Sequence, residues 1–244
     1  MKKTKAKWCL LFLLWPLLIV GACDQVSLDP QSITEAISIR NEGAEQSTTQ
    51  AAAIDIPIKY DGVNQEVVLN DNRPTFTEAD LNLSKGVWQS FSDLDQLNRV
   101  GIANALIGKE SFPTEAREPL TVKPTGWRQK KLSDGQWLYN RCHLIGFQLT
   151  GENDNMKNLM TGTRQFNTPH MLNYENQIMD YIRLTGNHVR YQVTPHFIGD
   201  ELVAHGVQME AASVETDEFA YNVYIFNVQD GYQINYATGA ATKE

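Results

Sequence analysis

Side chains that could carry chemistry are concentrated in one stretch of this 244-residue chain, residues 121–190. That stretch holds nine Lys or Arg against five Asp or Glu, a net charge of +4, whereas the whole chain has a formal charge of −8. The segments on either side, residues 24–120 and 191–244, carry −9 and −7. A basic island on an acidic body suits a local anion site better than it suits non-specific coating of a polyanion. The same excess could arise by chance on solvated surfaces, so charge alone leaves both interpretations open.

Histidine and arginine stand together inside this island, in the run Asn140-Arg141-Cys142-His143. An imidazole with an ordinary pKa near 6.5 can take up and release a proton close to neutral pH. Arg141 and, further along, Arg164 are candidates for phosphate contacts, because a guanidinium group can donate two parallel hydrogen bonds to phosphate oxygens. These residue types indicate proton transfer beside a bound anion.

The wider pattern resembles a known family. The run that ends at His143 is similar to the Asp-Arg-Gly-His motif of the DNA/RNA non-specific endonucleases, and Asn167 follows 24 positions later, with Glu175 beyond it. Those enzymes use a ββα-metal finger, in which a strand carries the His and a helix carries an Asn that binds a divalent metal. The resemblance extends over roughly residues 54–244, including residues 88–91 and 123–127, and is closest to the exported nucleases of Gram-positive bacteria.

The resemblance implies an α+β fold with an antiparallel sheet core and a ββα-metal finger active site. It implies a metal-dependent endonuclease that hydrolyses phosphodiester bonds of DNA with little sequence preference, and it leaves RNA open as a substrate. The implied cofactor is Mg²⁺, with Mn²⁺ or another divalent cation as alternatives. Two other functions stay open: a nucleic-acid-binding surface lipoprotein whose cleavage is lost or attenuated, and a secreted toxin nuclease. No protein partner is predicted.

Three residues receive central roles from the resemblance and from the chemistry of phosphodiesters. His143 is assigned as the general base, which typically contributes about 10²–10⁴ in rate. Asn167 is assigned as the metal ligand, because a hard cation that keeps several waters can take one amide oxygen as its direct protein ligand. Glu175 matches the family's acidic helper. Its spacing of eight residues from Asn167 spans roughly 12 Å on a straight helix, so we expect a break at Thr168-Pro169 to bring it back, towards a metal-bound water.

Asn158 matches a polar residue of the family's site and is expected to orient its neighbours, while Arg141 and Arg164 are expected to contact phosphate. Structural interpretations compete with each assignment. The histidine could be a hydrogen-bonded core residue, the asparagines could be turn or cap residues, and the charged residues could lie on solvated faces. The remaining histidines of the folded part show no tight metal-ligand spacing, so a zinc site is not favoured.

The motif departs from the family pattern at two positions. Asn140 stands in place of Asp and Cys142 in place of Gly, and neither change removes the base or the metal ligand, so activity is still expected. We expect oxidation or alkylation of Cys142 to lower activity by crowding the site. A thiol nucleophile paired with His143 is disfavoured, because adjacent residues of a strand point to opposite faces.

Strand and helix patterns then indicate what positions these residues. Residues 136–144 read as the strand that carries His143, and residues 164–167 read as a short helix. A break at Thr168-Pro169 precedes a longer helix, which runs to about Leu184 with Gly186 past its end. Four strands follow, over residues 189–197, 202–214, 221–228 and 232–236.

Patterns before the island are less regular. We predict two strands, over residues 56–60 and 66–69, that are joined into a hairpin by a turn at 61–64. Thr77 with Asp80 suggests a helix start. Residues 94–107 carry apolar side chains at mixed spacing and are expected to be helical.

The N-terminus has the composition of an export signal. Four lysines within residues 2–7 precede an apolar run that ends at Ala22, and this run is shorter than the roughly 20 residues of a membrane span. Residues 20–23, Val-Gly-Ala-Cys, resemble a bacterial lipobox, in which Cys23 becomes lipidated.

We therefore predict a lipoprotein-type signal peptide over 1–22, a flexible tether over 23–53 and a nuclease domain over 54–244. The predicted location is exported, either anchored to the cell membrane through the lipid on Cys23 or secreted. Ordinary cleavage near Ala22 and a retained anchor helix are the alternatives.

Overall fold

The structure, a computed structural model, describes residues 59–244. The export signal, the lipid attachment at Cys23, the tether over 23–53 and the first five residues of the predicted domain lie outside the described residues. Within residues 59–244, no helix has the length and apolar character needed to cross a bilayer.

Ten strands and two α-helices make up the regular structure of the described residues, with short 3₁₀ turns between some of them. In chain order they are β1 (Glu66–Val68), β2 (Trp88–Phe91), β3 (Ala103–Ile107), β4 (Tyr139–His143), α1 (Phe147–Thr150), β5 (Leu159–Thr163), α2 (Leu172–Thr185), β6 (Val189–His196), β7 (Gly206–Ser213), β8 (Ala220–Phe226), β9 (Tyr232–Asn235) and β10 (Ala240–Lys243).

A six-stranded antiparallel sheet forms the larger part of this fold. Its strands lie in the order β1-β8-β7-β6-β3-β2, and each neighbouring pair is antiparallel. Strands β9 and β10 form a separate hairpin. The few helices and the mostly antiparallel sheet confirm the predicted α+β class.

The ββα unit is built from the island. Strands β4 and β5 pair with each other, with His143 opposite Leu159, and a π-helical turn over Phe166–Met171 leads from β5 into α2. Helix α2 ends at Thr185 and is capped by Gly186, which takes the left-handed conformation at φ 76°. The predicted strand, short helix and longer helix are therefore confirmed, and the predicted break is confirmed at Thr168, whose φ of −142° and ψ of 115° are not helical.

Helix α2 is fixed on the large sheet by its apolar face. Ile178 and Ile182 are fully buried and share one core cluster with Tyr191, Val193 and Met209 of the sheet. Burial of such a side chain stabilises the fold by about 1.5–3 kcal/mol. This packing fixes the helical half of the ββα unit on the large sheet.

Two predictions before the island are wrong. Residues 94–107 are not helical: they form a loop and then β3, and Asp95 accepts hydrogen bonds in that loop from the backbone N–H groups of Leu97 and Arg99, both at 2.9 Å. Thr77 starts no helix either. Its N–H and hydroxyl donate to the Asp80 carboxylate at 2.8 and 2.7 Å, which closes a turn.

The predicted hairpin at the start of the domain differs in its partner. Lys59 and Tyr60 are not in a strand, and residues 56–58 lie outside the described range. Strand β1 forms as predicted but pairs with β8. The expected turn is present, since the Asp61 carboxylate accepts from the N–H groups of Val63 and Asn64 at 2.8 Å.

Candidate active site

A cleft of about 870 Å³ opens beside the ββα unit. Five of the predicted residues line it: His143, Asn167, Glu175, Arg141 and Arg164. They come from β4, from the π-helical turn, from α2 and from the residue that follows β5. The fold therefore brings together side chains that are separated by up to 34 positions in the sequence.

His143 is held at the end of β4 with its two ring nitrogens in different environments. The side chain is 7% exposed, and Nε2 lies 2.7 Å from the backbone carbonyl oxygen of Asn153. A carbonyl can only accept, so Nε2 carries the proton and Nδ1 keeps its lone pair. Burial, aided by the positive charge of Arg117, lowers the pKa of His143 to about 4, against opposing effects of the Asn153 hydrogen bond and of Asp154. The imidazole is therefore neutral near pH 7, and its basic nitrogen, Nδ1, has Nη2 of Arg117 as a hydrogen-bond donor at 3.5 Å.

Asn167 lies in the π-helical turn, immediately before the break at Thr168. Its Nδ2 donates to the Thr168 hydroxyl at 3.1 Å. Among the side-chain hydrogen bonds within residues 59–244, none ends on Oδ1 of Asn167. This amide oxygen remains available as a ligand.

Glu175 is buried at the floor of the cleft, at 7% exposure. Its Oε1 accepts a hydrogen bond from the N–H of Gly146 at 2.8 Å. Burial raises the pKa of Glu175 to about 8, although that hydrogen bond and the charge of Arg117 act in the opposite direction. A buried carboxylate is stabilised when it binds a cation or takes up a proton.

Asn158 lies behind the cleft. It is fully buried, its Oδ1 accepts from the N–H of Ile145 at 2.9 Å, and its Nδ2 donates to the Ile145 carbonyl at 3.0 Å. Its own carbonyl accepts from the N–H of Leu144 at 2.9 Å. These bonds fasten the two residues that follow His143, which is the geometry of a residue that orients its neighbours.

Arg141 and Arg164 both reach the cleft and are both anchored through Nε. Arg141 donates to the carbonyl of Val122, and its guanidinium lies 4.8 Å from the ring centroid of Trp127. Arg164 donates to the carbonyl of Trp137 at 3.2 Å. Because a guanidinium group has five N–H donors, this anchoring leaves donors on each side chain for a bound anion.

Arg117 is a site residue that the sequence analysis missed. Its Nη2 lies 3.5 Å from Nδ1 of His143, and its charge lowers the pKa of both His143 and Glu175. It comes from a loop in the acidic segment between residues 24 and 120, outside the basic island, and no motif marks it.

Cys142 faces away from the cleft. Its side chain is fully buried in the core, with Sγ 3.4 Å from Sδ of Met171, and burial raises the pKa of the thiol well above its ordinary value. Cys142 does not itself line the cleft, but its partner Met171 does, so the expectation that oxidation or alkylation of Cys142 lowers activity stays a prediction. Asn140, the other departure from the motif, does line the cleft.

The oxygen donors suit a hard divalent cation. Asn167 offers an amide oxygen. Glu175 offers a carboxyl group whose charged form is disfavoured by burial, and a bound cation would stabilise that form. In the part of the chain that the structure describes, no three His, Cys, Asp or Glu side chains form a metal-binding cluster. A cation held here would therefore keep most of its waters.

The sequence that forms this fold and this cleft matches a known family of nucleases. A family model described as DNA/RNA non-specific endonuclease matches residues 81–215, which include β2 to β7 and all the site residues above. The chain belongs to that family.

Solved structures of nucleases share the fold. The NucA nuclease of Streptococcus agalactiae, solved with a magnesium ion bound, is 26% identical with a TM-score of 0.68, over 79% of this chain and 91% of that chain. The Sda1 nuclease with a bound zinc ion is also 26% identical, with a TM-score of 0.56 over 64% and 82% of the two chains. A protein described as an extracellular endonuclease is 22% identical with a TM-score of 0.53, a likeness that concerns the fold alone.

Proposed function

We propose that this nuclease is an exported, divalent-metal-dependent endonuclease that hydrolyses the phosphodiester backbone of DNA, and of RNA as a second substrate, without sequence preference. The observation that carries the proposal is the neutral imidazole of His143, which keeps the lone pair of Nδ1, in the same cleft as Asn167 and Glu175. Contacts to the backbone carry no base information, so low sequence preference follows from a site built on phosphate recognition.

The protein's own groups account for most of the reaction. Nδ1 of His143 accepts a proton from a water aimed at the phosphorus, while the Nε2–H bond to Asn153 fixes the ring and supports the imidazolium that forms. Arg117 stands next to this nitrogen and is placed to hold the phosphate that is attacked. Arg141 and Arg164 bind neighbouring phosphates and set the direction of the strand.

Asn167 would hold the cation directly, and Glu175 would bind it through its waters. When bound, a divalent cation neutralises charge on the phosphate and stabilises the leaving oxygen. We propose Mg²⁺, with Mn²⁺ or another divalent ion able to substitute. The Mg²⁺ bound by NucA and the Zn²⁺ bound by Sda1 support a divalent cation in general.

Plasmid degradation by the purified protein tests the proposal. We expect cleavage with Mg²⁺ and none with EDTA, and a loss of about 10²–10⁴-fold for His143→Ala. His196→Ala is a matched control, because His196 is a partly buried histidine of β6 that does not line the cleft. A protein that binds plasmid but cuts it under neither condition would be a capture protein, and the proposal would be wrong.

Export and anchoring form a separate part of the proposal. We propose that residues 1–22 are removed, that Cys23 is lipidated and attaches the protein to the membrane, and that residues 23–53 tether the domain over 54–244. Globomycin-sensitive processing together with palmitate labelling that disappears in Cys23→Ser would support this. Normal secretion of an unlabelled protein would leave ordinary signal cleavage as the explanation.

A further inference from the structure

A short two-stranded arm, residues 130–138, stands beside the cleft and has no part in the chemistry described above. The N–H of Leu138 donates to the carbonyl of Lys130 at 2.9 Å and the N–H of Leu132 donates to that of Gln136 at 2.8 Å, so the two sides of the arm run antiparallel. Lys131 and Trp137 face each other across it. A turn closed by Gly135 forms its tip.

The arm is braced on the side of the C-terminal hairpin. Nζ of Lys130 donates to the carbonyl of Ala241 at 2.8 Å, and the Ser133 hydroxyl lies 3.3 Å from the hydroxyl of Tyr232. At the base of the arm, the N–H of Arg164 donates to the carbonyl of Leu138 at 2.7 Å. These bonds fix the arm to both the β9–β10 hairpin and the ββα unit. Binding of a ligand to the arm therefore does not carry the entropic cost of ordering a free loop.

Trp137 is the feature of the arm that needs an explanation. Its side chain is 46% exposed, yet it lines the same cleft as His143. Nζ of Lys131 lies 3.9 Å from its ring centroid, and Nε of Arg164 donates to its carbonyl. The other tryptophan of the cleft, Trp127, is only partly exposed and is stacked with Arg141.

A structural explanation of Trp137 is that its ring holds the Lys131 ammonium group in a cation–π contact and so stabilises the arm. That explanation accounts for one face of the ring. It does not account for a ring that is 46% exposed and lines the cleft, beside Lys131 and next to Arg164, which is bonded to the Trp137 backbone carbonyl. A flat aromatic surface beside positive charge is complementary to a nucleobase with its phosphate, and base–aromatic stacking tolerates every base.

We propose that Trp137 stacks on an unpaired nucleobase of the bound strand while Lys131 and Arg164 contact its phosphates, so that the arm makes the enzyme prefer single-stranded over duplex nucleic acid. The inference rests on the proposed function, because it names the substrate form that the same cleft takes. In a duplex, both faces of each internal base are covered by its neighbours, and only base edges are presented in the grooves. A duplex therefore reaches the phosphate-binding residues without the stack.

Cleavage of one oligonucleotide, single-stranded or annealed to its complement, tests this inference. We expect Trp137→Ala to lower kcat/KM on the single strand by about tenfold and to leave the duplex rate nearly unchanged, so that the ratio of the two rates falls. Trp137→Phe retains a flat ring and should keep most of the ratio. Leu184→Ala, which changes an 86% exposed apolar residue at the end of α2, is the control and should leave both rates unchanged.

Binding gives a second readout that does not depend on turnover. In the His143→Ala background, the affinity for a fluorescent oligothymidylate at fixed salt should fall by about tenfold when Trp137 is also changed to Ala, and should recover with Phe. Equal losses on single strand and duplex, or no change in either rate or affinity, would overturn the inference. Failure of the unaltered protein to cut any nucleic acid would instead overturn the proposed function, and the binding series would still report on Trp137.

Discussion

The two ring nitrogens of His143 divide the work of a general base between them. Nε2 is tied to the Asn153 carbonyl, and this bond leaves Nδ1 as the nitrogen that can accept a proton. Burial and the nearby guanidinium of Arg117 both keep the ring neutral. A base of lower pKa is a weaker base, but it is almost fully unprotonated at neutral pH. It is therefore ready to accept the proton of the attacking water.

Among the individual residues of the site, Arg117 gives a first testable prediction. Arg117→Ala should lower kcat/KM by about 10²-fold, because one donor to the phosphate is lost. It should also raise the pKa of His143, since it removes a positive charge 3.5 Å from Nδ1. Titration of the His143 ring by NMR checks the second effect, which a purely structural role would not produce. Arg117→Lys should restore part of the pKa shift, and an unchanged His143 titration in the alanine variant would contradict the assignment.

Gly146 gives the second prediction. A Cβ at this position would lie 2.3 and 2.6 Å from the two carboxylate oxygens of Glu175, although the backbone itself, at φ −60°, would accept any residue. Gly146→Ala should therefore displace the Glu175 carboxylate and lower activity and cation affinity, with only a modest loss of stability. Activity, Mg²⁺ titration and urea denaturation measured together check this.

The control for Gly146→Ala is Gly186→Ala. Gly186 has open space around it but a φ of 76°, so this change should cost about 1 kcal/mol of stability and leave activity intact. If both variants lost activity in proportion to stability, the close contact between Gly146 and Glu175 would have no functional role.

Much of the site could be predicted because its residues form a motif with fixed spacing. His143, Asn167 and Glu175 line one cleft, as the spacing and the break at Thr168 indicate. Arg117 could not be predicted, since its proximity to His143 is created by the path of a loop that carries no periodicity. The two hydrogen bonds between the Asn158 side chain and the backbone of Ile145 could not be predicted either, because they depend on the tertiary structure.

At the scale of secondary elements, local units were easier to predict than distant pairings. Strand β4, the turn after β5 and helix α2 follow each other closely, and each leaves a pattern in the sequence. Residues 94–107, which include β3, were predicted to be helical because their apolar side chains lie at mixed spacing. In the structure three consecutive residues of β3, from Ala105 to Ile107, are buried. A strand that is covered on both faces loses the alternation by which strands are recognised. The pairing of β1 with β8 joins opposite ends of the domain and leaves no local signal.

Asn227 joins the two sheets and supports a prediction about elements. Its Oδ1 accepts from the N–H of Thr163 at 2.9 Å, and its Nδ2 donates to the carbonyls of Thr161 and Ala204 at 3.1 and 2.9 Å. Because Asn227 is fully buried just after β8, it holds β5 against the large sheet. Asn227→Leu would leave these backbone groups without partners and should lower the free energy of unfolding by about 3 kcal/mol, measured by urea denaturation.

The control for this variant is Asn235→Leu at the exposed end of β9, where only a turn hydrogen bond to the N–H of Thr238 is lost. We expect less than about 1 kcal/mol there. Comparable losses in the two variants would show that the buried amide does not join the sheets in the way that we infer.

At the scale of the whole molecule, charge is arranged so that attraction is local. The island over residues 121–190 carries +4, while the rest of the folded chain is acidic. Arg117, Arg141 and Arg164 converge on the cleft. If the substrate is nucleic acid, as proposed, we expect it to be attracted to this cleft and repelled by the acidic remainder, which favours binding in the register that the site needs. Such an arrangement suits a local anion site better than it suits non-specific coating of a polyanion.

The stability of the whole domain should also depend on pH through His188, the residue that precedes β6. Nδ1 of His188 lies 2.6 Å from the Glu215 carboxylate and Nε2 lies 3.2 Å from that of Glu110, so the ring bridges the loops that follow β7 and β3. Partial burial disfavours the charged ring, but the hydrogen bonds and charges of the two glutamates outweigh it and raise the pKa of His188. An imidazolium that donates to two carboxylates stabilises the fold only while both nitrogens are protonated.

The sign of the effect follows from this shift. Because the folded-state pKa lies above the ordinary value of about 6.5, the stabilisation is fully present below that pH and is lost as the pH rises through the raised pKa. We expect the free energy of unfolding of the unaltered protein to fall from pH 6 to pH 9 more steeply than that of His188→Asn, whose side chain does not titrate. Urea denaturation of both proteins at several pH values measures this difference directly. Parallel pH profiles would show that the bridge between Glu110 and Glu215 contributes nothing in solution, and that the three elements are joined by their packing alone.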